Sequence, residues 1–146
     1  MSEFAIRRAK AGDQQRIKDI VREVDIDPSN LHWSHFFVGE VDGQIVAIGQ
    51  IRPFKGSPEL GSIATIEGHR GKGYAAEIIR RLIGEWDQPG PLYLECQAHM
   101  MAYYKQFGFE PIPWYKAPFP FKFKTGMAAL FSAIFRFEMG VMKLVR

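Results

Sequence analysis

The chain has 146 residues, 47% of them apolar and 24% charged, with a formal net charge of +3. That length fits one domain, the apolar share can build a sizeable core, and the charge balance fits neither global disorder nor a nucleic-acid-binding tail. The single cysteine, Cys96, allows no internal disulfide and no thiolate metal cluster, so a reducing, cytoplasmic setting is expected.

Four histidines, His32, His35, His69 and His99, lack the spacing of a zinc enzyme, and no metal is expected. The opening Met1–Arg8 has no apolar signal-peptide core, and no stretch reaches the roughly 18 apolar residues of a membrane span.

In chain order, Phe4–Arg8 reads as a short strand. Asp13 then offers an N-cap for a helix to about Val24, whose Ile17, Ile20, Val21 and Val24 share one face. A loop follows, with Leu31, Trp33 and Phe36 as apolar anchors. Phe37–Val41 and Gln44–Ile51 flank Asp42-Gly43, the strongest short hairpin signal. Glu59–Ile66 is a further strand, and a glycine-rich turn leads into a helix ending near Trp86. Gln88–Pro91 is a break. Leu92–Cys96 reads as a strand, Ala98–Phe107 as a helix ended by Gly108, and Phe109–Tyr115 as a strand. Residues 127–135 suit a helix and Phe137–Val145 a last strand. With no repeat and no linker, the expectation is one mixed α/β domain over residues 1–146.

The most informative segment is Arg70-Gly71-Lys72-Gly73-Tyr74-Ala75, between a strand and a helix. The first turn of a helix has N–H groups without internal partners, and with the helix dipole they suit a phosphate oxygen. Gly71 and Gly73 let backbone approach a ligand, and Arg70 and Lys72 add positive charge. A plain connecting turn explains two glycines and two cations equally well. Neither the Rossmann nor the Walker spacing is met.

This segment, with the strand before it and the helix after it (Glu59 to Ile79), resembles the central motif of the GNAT N-acetyltransferase superfamily. That motif is a strand, then R/Q-x-x-G-x-G/A, then a helix. Phe4–Asp13 is similar to the family's opening strand and helix cap. Ala102–Phe109 is similar to its late Y-x-x-x-G-F signature. Thr65 and Glu67 stand where the family usually has Val and Pro, and Gln97 where it often has Asn.

The resemblance implies a mostly antiparallel central sheet flanked by helices, with two strands splayed to admit the arm of acetyl-CoA. It places the pyrophosphate on Arg70, Gly71, Lys72, Gly73, Tyr74 and Ala75. The pantetheine arm would run along Ile63, Ala64 and Thr65, with Gln97 also in reach. It implies direct acetyl transfer to a primary amine, with Tyr104 as general acid and Glu59 as general base. A phenol, with a reference pKa near 10, stays protonated at neutral pH and can serve a departing thiolate. An alkyl amine arrives mostly protonated, which makes a base useful. For Tyr104 the competing reading is a packed aromatic, and for Glu59 a solvated strand-end carboxylate. Glu95, His32 and His35 are weaker candidates for the base. Cys96 has no paired base and is expected to be core or slot lining.

Arg52 ends the hairpin strand. It is expected on the surface, with a substrate carboxylate as the alternative partner. Phe119, Phe121 and Phe123 alternate with Pro120, Lys122 and Lys124, which suits an apolar flap or a homodimer contact better than a membrane surface. The acceptor could be a small molecule or a protein amine. The alternative function is a GNAT-like module that holds an acyl-CoA without turnover.

Overall fold

A computed structural model describes residues 3–116, 118 and 139–146. The expected flap and the helix at 127–135 lie outside the described residues, apart from Pro118 within the flap. Seven strands follow the order β1-β2-β3-β4-β5-β7-β6, in a mixed α/β arrangement that is mostly antiparallel. The chain divides into two compact units, Met1–Arg52 with Leu60–Asp87 and Pro53–Glu59 with Gln88–Arg146.

In the first unit, β1 (Phe4–Arg8), β2 (Phe36–Val41) and β3 (Gln44–Arg52) are successive antiparallel neighbours. Asp42 and Gly43 both have positive φ, 51° and 75°, the backbone of a two-residue hairpin turn that matches strand twist. Helix α1 (Gln14–Val24) buries Ile17, Ile20 and Val21 against Phe36, Val38 and Ile48, so its apolar stripe makes the core on one face of the sheet. Helix α2 (Tyr74–Glu85) buries Ile78, Ile79 and Leu82. Its approach to β3 is close: a Cβ on Gly49 would sit 2.7 Å from both Ile78 and Ile63 side-chain carbons. Gly49 is therefore the position that lets α2 lie against the sheet and fixes where its N-terminus falls.

Asp13 precedes α1 as expected, but its carboxylate does not cap that helix. A 3-10 turn, Ala11–Asp13, comes first and already gives Asp13 a helical backbone. Its carboxylate instead accepts from the Lys10 N–H at 2.7 Å and from both Arg7 terminal nitrogens at 2.7 and 3.1 Å. Arg7 also pairs with Glu40 on β2. This triad ties β1, β2 and the start of α1 together.

In the second unit, β5 (Leu92–Gln97) pairs antiparallel with β7 (Met139–Leu144), and β7 with β6 (Glu110–Ile112). Glu59, the first residue of β4 (Glu59–Thr65), pairs in parallel with Tyr93, and the Tyr93 N–H donates to the Pro58 carbonyl at 2.9 Å. The expected helix over 98–107 is shorter: a 3-10 turn, Ala98–Met100, then α3 (Met101–Lys105). Gly108, at φ 98°, ends it, with its N–H on the Lys105 carbonyl. β6 also stops earlier than expected. Pro113 has no N–H to continue a ladder, and a 3-10 turn, Trp114–Lys116, follows. A Cβ on Gly140 would lie 1.8 Å from the Met101 methyl carbon, so α3 sits directly on β7.

The Arg7 guanidinium holds the Asp13 carboxyl below the usual carboxylate range, the hydrogen bond outweighing the opposing effect of burial. That stabilisation is present above the ordinary carboxyl pKa and is lost as pH falls through the lowered value. Asp13→Asn should cost about 1–2 kcal/mol at neutral pH. The gap to wild type should shrink as pH drops below 4, as read by urea unfolding at several pH values. A gap that stays constant into acid would rule out this role for the carboxylate.

Candidate active site

In the first unit, β4 ends at Thr65 and the chain turns through 66–73 into α2. Gly68, Gly71 and Gly73 have φ of 90°, 79° and 82°, which side-chain-bearing residues rarely adopt. No atom lies within 4 Å of where a Cβ would stand on any of the three. Gly73 is the N-cap of α2 and supplies no side-chain cap. The first internal bond of the helix runs from the Glu77 N–H to the Gly73 carbonyl at 3.1 Å. Helix geometry therefore gives Tyr74, Ala75 and Ala76 N–H groups no partner within α2. The result is an open concavity edged by backbone donors at the positive end of a twelve-residue helix.

The side chains around this turn divide their tasks. Arg70 is exposed and its Nε donates to the Thr65 carbonyl at 2.9 Å, which closes the turn and orients the guanidinium. Lys72 is exposed as well. Tyr74 turns its ring away from its own helix start: it stacks on Phe4 of β1 at 3.9 Å with the rings 5° apart. Phe4 in turn covers Gly39, where a Cβ would come within 2.2 Å of the ring. Tyr74 thus anchors the helix start to the sheet and has its N–H left for the concavity. Ile63 and Ala64 pack inward beside Gly49 and the α1 core respectively.

Upstream on β4, the structure assembles a polar cluster that sequence reasoning did not assemble. Gln50 and Arg52 are two apart on β3 and so share a face. Both are buried, 0% and 5% exposed, which overturns the surface reading of Arg52. Ser62 Oγ accepts from Gln50 Nε2 at 2.8 Å and Arg52 Nη2 at 2.9 Å. Ser62 has φ of 52°, and the Gly61 backbone beside it leaves room for the guanidinium. The available signal was a glycine inside a strand, which marks close approach of another group.

His32 and His35 lie in the segment before β2. His32 Nδ1 accepts from the Ser34 N–H at 3.2 Å, and the two imidazoles are 5.7 Å apart. Burial, then His32, lowers the His35 pKa, so His35 is neutral at pH 7.

In the second unit, Tyr104 lies on α3, edge-on to Phe109 at 6.4 Å and to Tyr103 at 5.2 Å. Burial pushes its phenol up to about 12, with smaller contributions from Cys96 and Tyr103. Cys96 is buried on β5, and burial, then Glu95, raises its thiol to about 11. Glu59 is 6% exposed, so it is not the solvated carboxylate that its strand-end position suggested. Gln97 ends β5, exposed and opposite Met139. Among the described residues no cluster of three or more His, Cys, Asp and Glu is placed to hold a metal, and no helix is long and apolar enough to cross a membrane.

The family model of the acetyltransferase (GNAT) domain matches residues 32–111, more than half of the chain. The chain belongs to the GNAT acetyltransferase family. The match takes in the hairpin, β4, the glycine turn, α2, β5 and α3. No curated protein matches the sequence. Among solved structures, N-acetylglutamate synthase from Neisseria gonorrhoeae, complexed with coenzyme A and N-acetyl-glutamate, superposes with a TM-score of 0.70 at 17% identity. That match covers 100% of this chain and 36% of that one. The chain therefore spans about a third of the synthase. The ribosomal-protein-S18-alanine N-acetyltransferase from Escherichia coli matches with a TM-score of 0.72 at 16% identity, over 97% of this chain and 93% of that one. Diaminobutyrate acetyltransferase from Paenibacillus lautus, in complex with its substrate and coenzyme A, gives 0.61 at 17%, over 77% and 81%. At such identities these likenesses establish the shared GNAT fold.

The left-handed backbone at Gly73 separates two effects that one substitution would mix. Gly73→Asn should keep the fold, since Asn tolerates this region, at about 1 kcal/mol. Gly73→Asp adds a negative charge at the mouth of the concavity. Calorimetric titration with coenzyme A should show weakened binding for Asn and none for Asp. Equal binding by both variants would show that the turn does not face an anion.

Proposed function

We propose that this chain transfers the acetyl group of acetyl-CoA directly to a primary amine. The observation that carries the reading is the open glycine turn at the start of α2, with its backbone donors and Arg70 and Lys72 beside it. A diphosphate suits that turn in sign, and the absence of Cβ atoms at Gly71 and Gly73 leaves space for it to approach the backbone. Coenzyme A in the Neisseria and Paenibacillus structures of the same fold supports the choice of ligand.

In this proposal Gly71, Lys72, Gly73, Tyr74 and Ala75 hold the pyrophosphate through backbone N–H groups, and Arg70 adds charge. The β4 backbone at Ile63, Ala64 and Thr65, together with Gln97, holds the pantetheine arm. Acetyl-CoA supplies an activated acetyl thioester.

In this proposal Tyr104, which keeps its phenolic proton at neutral pH, is the hydrogen-bond donor to the departing sulfur. The phenol, near 12, is a weaker acid than a thiol near 8.5. Its contribution is therefore a hydrogen bond that stabilises charge growing on sulfur, while full proton transfer would be uphill. Cys96, protonated at neutral pH, is a poor nucleophile, which favours direct transfer over an acyl-enzyme. Glu59 takes the proton from the attacking amine, directly or through water; its burial keeps it out of bulk solvent. A cytoplasmic setting goes with this reading, as the pool of acetyl-CoA is there.

Tyr104→Phe should lower kcat about 10- to 100-fold, the weight of one such hydrogen bond, and leave coenzyme A affinity nearly unchanged. Release of thiol from acetyl-CoA with an amine panel, alongside calorimetry, reads both quantities. An unchanged kcat would remove Tyr104 from the mechanism. Tight coenzyme A binding without turnover of any amine would support the non-catalytic module instead.

A further inference from the structure

We propose that Gln50 is a positioning residue for acetyl-CoA: its buried amide holds Ser62 in a left-handed kink, and that kink sets the β4 backbone at Ile63, Ala64 and Thr65 for the pantetheine arm. The inference rests on the proposed acetyl-CoA site and adds to it a side chain that acts through the strand.

Four non-glycine residues among those described have left-handed φ: Asp25, Asn30, Asp42 and Ser62. Two have local causes. Asp25 is the C-cap of α1, and Asp42 is in the two-residue hairpin turn. The other two, Asn30 at 57° and Ser62 at 52°, lie far apart in the chain and share one partner. Gln50 Nε2 donates to the Asn30 carbonyl at 3.0 Å and to Ser62 Oγ at 2.8 Å. One amide thus spends both of its N–H groups on the two left-handed residues that no helix end or hairpin accounts for.

That amide is unfavourable for packing alone. Gln50 is 0% exposed on β3, and its Oε1 is buried with no hydrogen-bond partner among the described residues. A leucine of similar size would leave no carbonyl unpaired there, so what glutamine adds is the direction of its two donors.

Ser62 is where that direction matters. A left-handed serine inside a strand is strained and persists only where its surroundings hold it. A residue outside the extended region breaks the alternation of a strand and re-aims the peptide groups that follow. Those that follow are Ile63, Ala64 and Thr65. Ile63 beside Gly49 and Ala64 in the α1 core pin the strand after the kink. Gln50 pins the kink itself, together with Arg52, whose Nη2 reaches the same Ser62 oxygen at 2.9 Å.

Calorimetric titration separates the arm from the rest of the ligand. Coenzyme A and its phospho-ADP fragment, which lacks the pantetheine arm, share the pyrophosphate assigned to the glycine turn. Gln50→Leu should weaken coenzyme A about 10-fold, the weight of the lost hydrogen bonds, and leave the fragment within about twofold of wild type. Ser62→Ala loses both bonds to the hydroxyl and keeps the strain, so it should weaken coenzyme A at least as much; it carries the comparison if Gln50→Leu does not fold. Ser62→Gly in the Gln50→Leu background should recover part of the loss, since glycine takes this φ without help. Coenzyme A binding by Gln50→Leu equal to wild type, or an equal loss of coenzyme A and fragment, overturns the inference, and so does a glycine that recovers nothing. A wild type that binds neither ligand removes the acetyl-CoA reading by itself. Amide hydrogen exchange on the unliganded proteins then decides for Gln50: faster exchange in Gln50→Leu confined to residues 30 and 61–65 upholds its hold on the strand, and unchanged exchange there overturns it.

Discussion

The left-handed backbone at Gly71 and Gly73 is the constraint on which the proposed coenzyme A site depends. It reverses the chain between β4 and α2 without side chains in the concavity. It also leaves the first N–H groups of a long helix without partners inside that helix. Everything nearby serves to hold that arrangement. Arg70 closes the turn onto the Thr65 carbonyl, and Tyr74 pins the helix start onto Phe4, which lies over Gly39. Gly49 lets the helix body rest on β3. The open donors persist because packing elsewhere fixes the helix, so no local contact has to consume them.

The second feature is a polar cluster placed where a strand pair would ordinarily bury apolar side chains. Gln50, Arg52 and Ser62 are on a face of β3 and β4 whose continuation, through Ile48 and Ala64, packs in the α1 core. Burying a guanidinium and an amide is unfavourable unless their hydrogen bonds are made, and a left-handed serine adds strain. Local violations of this kind gather at functional sites, because selection for stability alone would remove them. Here the departure from a plain apolar strand lies just before Ile63–Thr65, the segment proposed to hold the pantetheine arm.

Electrostatics in the second unit follow from burial. The Tyr104 phenol and the Cys96 thiol both titrate upward, so both are protonated at neutral pH. One consequence is that the cysteine is chemically quiet, and another is that the tyrosine is a durable hydrogen-bond donor and a reluctant acid. Its position comes from the contact of α3 with β7 at Gly140, far along the chain from the aromatic signature that marks it.

Much of the fold could be read from local pattern. Phe4–Arg8, the Asp42-Gly43 hairpin, the stripe of α1 and the glycine turn are short-range signals, and short-range physics sets them. The sequence also determined the family, through Arg70, Gly73 and Ala75 together with Tyr104 and Gly108. Three things needed the folded chain. Asp13 turned from its helix to Arg7 and Lys10 because Glu40, on another strand, draws Arg7 into place. Helix α3 and strand β6 came out shorter because packing on β7 and Pro113 outweighed propensity. Arg52 and Glu59 proved buried, which no periodicity reveals, since burial of a charge depends on what a distant strand leaves empty. Gly61 leaves such a space for Arg52, and only register across β3 and β4 brings the two together.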